Sequence, residues 1–564
     1  MPHFEHQGVH FIQLKGSPTE RAHQHGLLLK KQIAQGVVPI IAQRNQWMIK
    51  RGPGLVRFPA VHRPFILFYE KIFINWLKRH LPKKQIELLE ALGESSGLSA
   101  TPFYHGLFQP DGLLLLARFS TMKYLLKQYP NPRSFGCSSA IVPPSWATHG
   151  RLLHSRNMDY PIVGPWEPYT TVAFHEPEGT NEIPHVAISS AGVHTAGLTS
   201  VNREGLTLAM HAHFSRRFSL NGVPGTVIGD EIISHAHNLN EAIDIAKKMK
   251  PTTNWAFAVS SAKEKSGIIL EISPDQVQVR HADDLPLTHT NFFQNRELFE
   301  DEALICGAEA EDLENRLCRM RETLAPLKGQ ITPELLCSLM GNAVDPSSGI
   351  ERVLGNTLSV ITTVKSVVME PESQTLWISK RKESPTGLGP YLKVKLDGFW
   401  NKPSIEGEVP GYSPQDARLV PALQEYRKAY RAWHIENHKP DFENTAYTHA
   451  RRAAELYPLD GHLWVVAGIL AFKTQNFNDA LTLFEKAQPL KISNHLQSLC
   501  WLFTARCYDL SDRRNEAKAL YGQWKKAEEP RIRKALKKGL FRKYNAHKTH
   551  EMGLDLQFPD ALQY

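Results

Sequence analysis

The stretch "RSFGCSSAIVPPSWATHGRLLHSRNMDY", residues 133–160, sets Cys137 between a glycine and two serines. Gly136 has no side chain to hinder attack on its own carbonyl. The thiol of Cys137 can attack that carbonyl, form a thioester and be freed by water. A chain that then begins at Cys137 carries a thiol beside a free α-amine. Such an amine has a pKa of roughly 7.7–8. It can take the thiol proton directly, as a histidine does elsewhere. The ordinary reading of a lone cysteine is a buried apolar residue. Cys306, Cys318, Cys337, Cys500 and Cys507 lie in helix-like surroundings and take that reading. Cys137 differs because it opens a strand-like run directly after a helical zone and a glycine.

The elements that must position it fall into zones. Residues 1–136 read as a mostly helical leader. In it Ser17 and Glu20 form a capping pattern before an apolar run, and "LPKKQIELLEALGESSGL" is an amphipathic helix ending at glycine. Residues 137–400 carry β-prone runs such as "CSSAIV", "TTVAFH", "HVAISS", "WAFAVSS" and "TLSVITTVKSVVME", with helical stretches near 230–250 and 309–342. That alternation predicts α+β layers. A Pro- and Gly-rich linker is expected over 401–414, then helices over 415–545 and a tail over 546–564. Within the helical zone, Trp464, Gly468, Ala480, Phe484 and Ala487 follow the tetratricopeptide spacing. Trp501, Ala505, Ala517 and Tyr521 repeat it, and Ala446 and Ala453 fit a weaker copy. Such an array is expected to fold apart from the catalytic zone and to offer a surface to a protein partner.

From about residue 10 to about 398 the chain resembles the acyl-coenzyme A:6-aminopenicillanic acid acyltransferase family, autoproteolytic Ntn hydrolases related to choloylglycine hydrolases and acid ceramidase. The motifs that carry the resemblance occur in order: "LKGSPTERAHQHG", "LLEALGESSGL", "GCSSA" with "HSRNMDY", "TSVNREGLTLAMHAHF", "GIILEISPDQVQVRHADDLPLTHTNFF" and "NTLSVITTVKSVVMEPESQTLWISK". The resemblance implies a four-layer αββα sandwich cut between Gly136 and Cys137. It implies Cys137 as nucleophile, with Arg156 and Asp159 as the charged pair beside its amine and thiol. It also implies Asn291 as a donor to the oxyanion. Asn202 and His213 are pocket candidates, and His213 and His194 are the side-chain bases to consider if no cut occurs. The sequence departs from the family pattern at "TNFF", where a histidine often follows the asparagine, at "FAVSSAKEKSG" and at "AMHAHF". The reaction implied is attack on an N-acyl amide through an acyl-enzyme, resolved by water or an amine. An inactive scaffold using its repeats, or a peptidase acting only on itself, are the other readings.

Composition bounds these readings. The 564 residues are 42% apolar and 22% charged, as in a soluble globular protein of two or three domains. Six cysteines without a Cys-x-x-Cys pair favour reduced thiols in a cytoplasm over zinc or disulfides. "MPHFEHQGVHF" lacks an apolar signal core, and "FPAVHRPFILFYEKIFINWL" is too short and too interrupted by charge and proline to span a bilayer. No Gly-x-x-x-x-Gly-Lys-Ser/Thr loop, His-Glu-x-x-His or Gly-x-Ser-x-Gly elbow occurs, so no metal or cofactor is expected. The net charge of +9 concentrates in residues 525–548, which hold ten Lys or Arg and two Glu. The basic helix expected over 531–543 is either a solvated face or a contact for an anionic surface. No nucleic-acid motif accompanies it.

Overall fold

The computed structural model describes residues 2–50, 64, 67, 74–118, 136–215, 217–299, 302, 307–396, 404–546, 549 and 553–561. Its strands, in chain order, are β1 (His3–His6), β2 (Val9–Gly16), β3 (Cys137–Val142), β4 (Leu153–Asp159), β5 (Thr170–Pro177), β6 (His185–Ser190), β7 (Thr199–Asn202), β8 (Leu206–His213), β9 (Asn254–Ser261), β10 (Ser266–Ile272), β11 (Val277–His281) and β12 (Leu287–His289). They continue with the short pair β13 (Val344–Asp345) and β14 (Ile350–Glu351), then β15 (Thr363–Glu370), β16 (Thr375–Ser379), β17 (Tyr391–Lys395) and β18 (Ser404–Val409), and a last pair, β19 (Leu554–Asp555) and β20 (Asp560–Ala561). A nine-stranded sheet runs β1-β2-β5-β6-β7-β8-β9-β10-β11, and a seven-stranded sheet runs β12-β3-β4-β15-β16-β17-β18.

Side chains alternate across each strand, so each sheet buries two faces. Val9, Phe11, Val172 and Phe174 of the larger sheet meet Val367 and Ile378 of the smaller one. On the outer face of the larger sheet, Leu14 and Met210 pack with Ile33, Leu92 and Ile232 from helices. On the outer face of the smaller sheet, Ala140, Val142 and Val368 pack with Leu317, Met320 and Leu336, also helical. The protein is therefore mixed α+β, with helix, sheet, sheet and helix stacked in four layers. Each fully buried aliphatic side chain in these layers contributes about 1.5–3 kcal/mol. No helix among the described residues is long and apolar enough to cross a membrane.

Several local expectations match. The Pro18–Leu28 helix has the Ser17–Glu20 capping box, and the Lys83–Ser96 helix ends at Gly97 with φ +77°. Others do not. The leader read as mostly helical supplies β1 and β2 to the larger sheet, with β2 parallel to β5. Residues 404–409, read as linker, form β18 and pair with β17, because their side chains alternate at a sheet edge. Only Thr363–Glu370 of "TLSVITTVKSVVME" is strand. Cys318 is exposed, against the expectation of burial, while Cys337, Cys500 and Cys507 are buried. Cys306, residues 401–403 and most of "FPAVHRPFILFYEKIFINWL" lie outside the described residues.

The C-terminal zone is helical from Leu419–Tyr430 to Pro530–Phe541. Small residues there meet aromatics: a Cβ added at Gly468 would stand 2.6 Å from the Phe484 ring, and one at Gly539 2.3 Å from Tyr521. Its apolar core is not its own. Val163, Ala343, Val353, Leu354 and Ile361, from the sheet-bearing part, belong to the same cluster. The residues read as a tail return to it, with Leu554 and Leu556 buried in that cluster and Leu556 O accepting from Tyr426 Oη at 2.5 Å.

Candidate active site

Cys137 is the first residue of β3, inside the seven-stranded sheet and 6% exposed. Register fixes what surrounds it. β3 and β4 are antiparallel, with Cys137 opposite Met158 and Ser139 opposite Arg156. Paired residues share a face. Cys137, Ser139, Arg156 and Met158 therefore point toward the larger sheet, and Ser138, Asn157 and Asp159 toward the outer helices.

The peptide before Cys137 is held on both sides. Gly136 O accepts from Asp159 N at 2.8 Å. Cys137 N donates to Asn291 Oδ1. Asn291 is buried, and its Nδ2 donates to Ala212 O at 2.9 Å. Its amide is thus committed, and what it gives Cys137 is an acceptor for the backbone nitrogen, where the resemblance implied a donor to an oxyanion. A Cβ added at Gly136 would stand 2.5 Å from Asp159 Oδ2 and 3.2 Å from Arg316 Nη2, so any side chain there must displace the Asp159 carboxylate.

Arg316, on the Gly307–Leu324 helix, was not found from the sequence. It is fully buried; Nη1 donates to Cys137 O at 3.2 Å and to Ser138 Oγ at 3.0 Å, and Nε donates to Asp312 Oδ2 at 2.8 Å. The same guanidinium stands 3.6 Å from Asp159 Oδ2. Asp159 Oδ1 accepts from Thr363 Oγ1 at 2.6 Å. Burial pushes the Asp159 and Asp312 carboxyls up, and Arg316 beside them pulls the other way. The signal for Arg316 was the spacing in "DLENR", Asp312 to Arg316, which also describes any ion pair one helical turn apart on a surface.

Arg156 and Asp159 make no direct ion pair with each other, although the Arg156 charge helps hold the Asp159 carboxyl down. They lie on opposite faces of β4. Arg156 Nε donates to Thr199 Oγ1 at 3.0 Å and Nη1 to Asn157 O at 2.6 Å, which ties the two sheets together. Asp159 takes its cation from Arg316 instead. Asn202 is fully occupied in a turn: Nδ2 donates to Ile233 O and Ala236 O at 3.0 Å, and Oδ1 accepts from Glu204 N at 3.1 Å and Leu206 N at 2.9 Å. It shapes the β7–β8 connection.

The two side-chain bases considered from the sequence are both unsuited. Arg280 Nη2 donates to His289 Nδ1 at 3.2 Å, so His289 carries its proton on Nε2 and donates it to His213 Nε2 at 2.9 Å. His213 then holds its own proton on Nδ1 and has no free lone pair. Burial also pulls it down to about 3. His194 packs on His25 and His175, on the helix side of the larger sheet, away from Cys137. Lys365 is a further group that sequence reading missed. It stands opposite Met158 on the face that Cys137 shares, and donates to Trp166 O at 2.6 Å and Thr170 Oγ1 at 2.7 Å; burial pulls its amine down to about 7.

Gly136 O and Cys137 N, the two polar ends of one peptide bond at the start of β3, are thus each hydrogen-bonded. Residues 146–384 match the acyl-coenzyme A:6-aminopenicillanic acid acyl-transferase family. The similarity is confined to that segment. Arg156, Asp159, Asn291 and Arg316 lie inside the family segment, while Gly136 and Cys137 lie just before it and the C-terminal helices beyond it. An uncharacterized protein of Archaeoglobus fulgidus is 21% identical over 288 residues, 49% of this chain and 45% of that relative. The chain thus spans less than half the length of that relative.

Proposed function

We propose that the chain is an N-terminal-nucleophile cysteine amidohydrolase or acyltransferase, made active by cleavage between Gly136 and Cys137. The observation that carries this is the grip on the one peptide: Asp159 N–H on Gly136 O and Asn291 Oδ1 on Cys137 N. In the first step the Cys137 sulfur bonds to the Gly136 carbonyl carbon. The Asp159 N–H is already aimed at the oxygen on which charge develops. The carbon–nitrogen bond breaks and the proton lost by sulfur ends on the Cys137 nitrogen. Water then adds to the thioester, giving a Gly136 carboxylate and the free thiol. The new amine, still beside Asn291 Oδ1, becomes the base. In turnover the thiolate attacks the carbonyl of an N-acyl substrate, the amine protonates the leaving nitrogen, and water or an amine acceptor resolves the acyl-enzyme.

The C-terminal helices are proposed as tetratricopeptide-like repeats for a protein partner, and the exposed cations Arg533, Lys534, Lys537 and Lys538 as a contact for an anionic surface. The decisive experiment is intact mass and N-terminal sequencing of the purified chain. Two fragments are expected, the larger starting at Cys137. Cys137→Ala should remain one chain and turn over no N-acyl amine or N-acyl amino acid. A wild-type chain that stays whole while hydrolysing such substrates would sink the amine-as-base mechanism.

A further inference from the structure

Resting on the reading of Cys137 as nucleophile, we propose that Asp460, in the C-terminal helical part, is a positioning residue for the Gly136–Cys137 peptide, acting through the loop 352–356, Asp312 and Arg316. Asp460 lies outside the family segment and caps the Gly461–Lys473 helix. It is fully buried. Its Oδ2 accepts from Val353 N at 2.9 Å and Leu354 N at 3.2 Å, and its Oδ1 from Arg352 Nη1 at 3.1 Å. His462 completes the clamp. Its Nε2 accepts from Ser493 N at 3.2 Å, so the proton on Nδ1 is donated to Leu354 O at 2.8 Å.

The clamped segment leads into two left-handed residues, Gly355 with φ +76° and Asn356 with φ +61°. A non-glycine residue in that region is held there by its surroundings. The turn aims Asn356 N at Asp312 Oδ1, 2.7 Å away. The other oxygen of Asp312 takes Arg316 Nε, and Arg316 reaches Cys137 O and Asp159. Each link is a hydrogen bond or ion pair between buried groups, and buried polar groups depend on every partner being in place. Releasing Asp460 lets the loop relax, frees one oxygen of Asp312, and removes one of the contacts that orient Arg316.

The test uses the full chain and three variants. Asp460→Asn keeps the shape and removes the charge. Arg427→Gln breaks a different contact between the same two parts, Arg427 Nη2 to Glu167 Oε1 at 3.4 Å, with no hydrogen bond from either residue to Asp312, Arg316 or the loop 352–356. His462→Phe releases Leu354 O and serves if Asp460→Asn does not fold. Amide hydrogen exchange, scission after cell-free synthesis, and iodoacetamide labelling of Cys137 are read together. In Asp460→Asn, exchange should rise over 353–357 and over 136–139, with scission and labelling slowed about 10- to 100-fold, as a small misplacement of reacting groups produces. Arg427→Gln should behave as wild type at 136–139. Unchanged exchange at 136–139 in Asp460→Asn, or equal losses in Arg427→Gln, overturns the proposal. If exchange rises as expected but wild-type chain is neither cut nor labelled, the positioning role stands and the proposed activity falls.

Discussion

A single carbon at residue 136 should decide whether the chain matures. The added Cβ of Gly136→Ala meets Asp159 Oδ2 at 2.5 Å, inside any normal contact, and the carboxylate has Thr363 and Arg316 as fixed neighbours. We expect Gly136→Ala to fold and remain uncut, with Asp159 displaced from the peptide; a cut rate equal to wild type would rule out this packing. Arg316→Gln should be harsher. It leaves Asp159 and Asp312 buried without their cation, and breaking a buried pair costs about 3–5 kcal/mol. Arg316→Lys keeps the charge without the fork, so it should melt closer to wild type yet cut slowly, since one ammonium cannot serve Cys137 O, Ser138 Oγ and both carboxylates. Urea titration beside a scission time course separates the two effects. Cys137, Asp159 and Asn291 sit in short motifs that a sequence can single out, and the structure brings them together. Arg316 could not be singled out, because it arrives from a helix far along the chain. A turn-forming asparagine such as Asn202 and a ligand-binding one look alike in sequence until their hydrogen bonds are counted.

At the scale of elements, the docking of the Pro18–Leu28 helix on the larger sheet carries a pH dependence. His25 from that helix packs on His194, with His175 and His185 from β5 and β6 behind it. Arg21 pairs with Glu182, which also takes Lys84. Burial pulls His25 and His185 down to about 4, and His175 and His194 well below their usual range, with neighbouring histidines adding repulsion at the last two. The sign follows from which state binds protons. Above about 6.5 both states are neutral and nothing is lost. Below it the unfolded chain takes up protons that the folded imidazoles refuse, so stability falls as pH drops toward 4. For His25 alone the full loss is about 3 kcal/mol. Urea midpoints at pH 7 and pH 5 should differ, and His25→Gln should flatten that slope; an unchanged slope would place the pH sensitivity elsewhere. The Ser17–Glu20 cap of this helix was readable from sequence. Strand β4 was not, because "LHSRNMD" is a polar run. It is buried on both faces only because Arg156, Asn157 and Asp159 each find partners in other elements. Sequence patterning registers apolar periodicity and is blind to polar residues that are satisfied from a distance.

For the molecule as a whole, the helical C-terminal part was expected to separate cleanly at 401–414. The shared core argues otherwise. A chain ending at 414 would uncover Val353, Leu354 and Ile361 and leave Arg352 with Asp345 but without Asp460. The truncated chain should therefore melt lower than the full one and expose the loop 352–356 to protease; a 1–414 fragment with wild-type melting would overturn this. The layered α+β class was legible in the alternation of runs. The merging of two apparent units was not, since Asp460 and His462 look like ordinary helix-start residues until their partners are known.

The pairing of β2 with β5 has one more consequence. β2 lies before residue 136 and β5 after it, and the two run side by side from His10 with Thr171 to Gly16 with Pro177. If the chain is cut at Cys137 as proposed, the cut changes the connectivity of the particle and not its membership. The two products stay laced through a common sheet, and native chromatography should report one species where a denaturing gel reports two. Fragment complementation follows as well. Polypeptides 1–136 and 137–564, made separately, each lack strands the other supplies, and should become soluble only when they meet during folding.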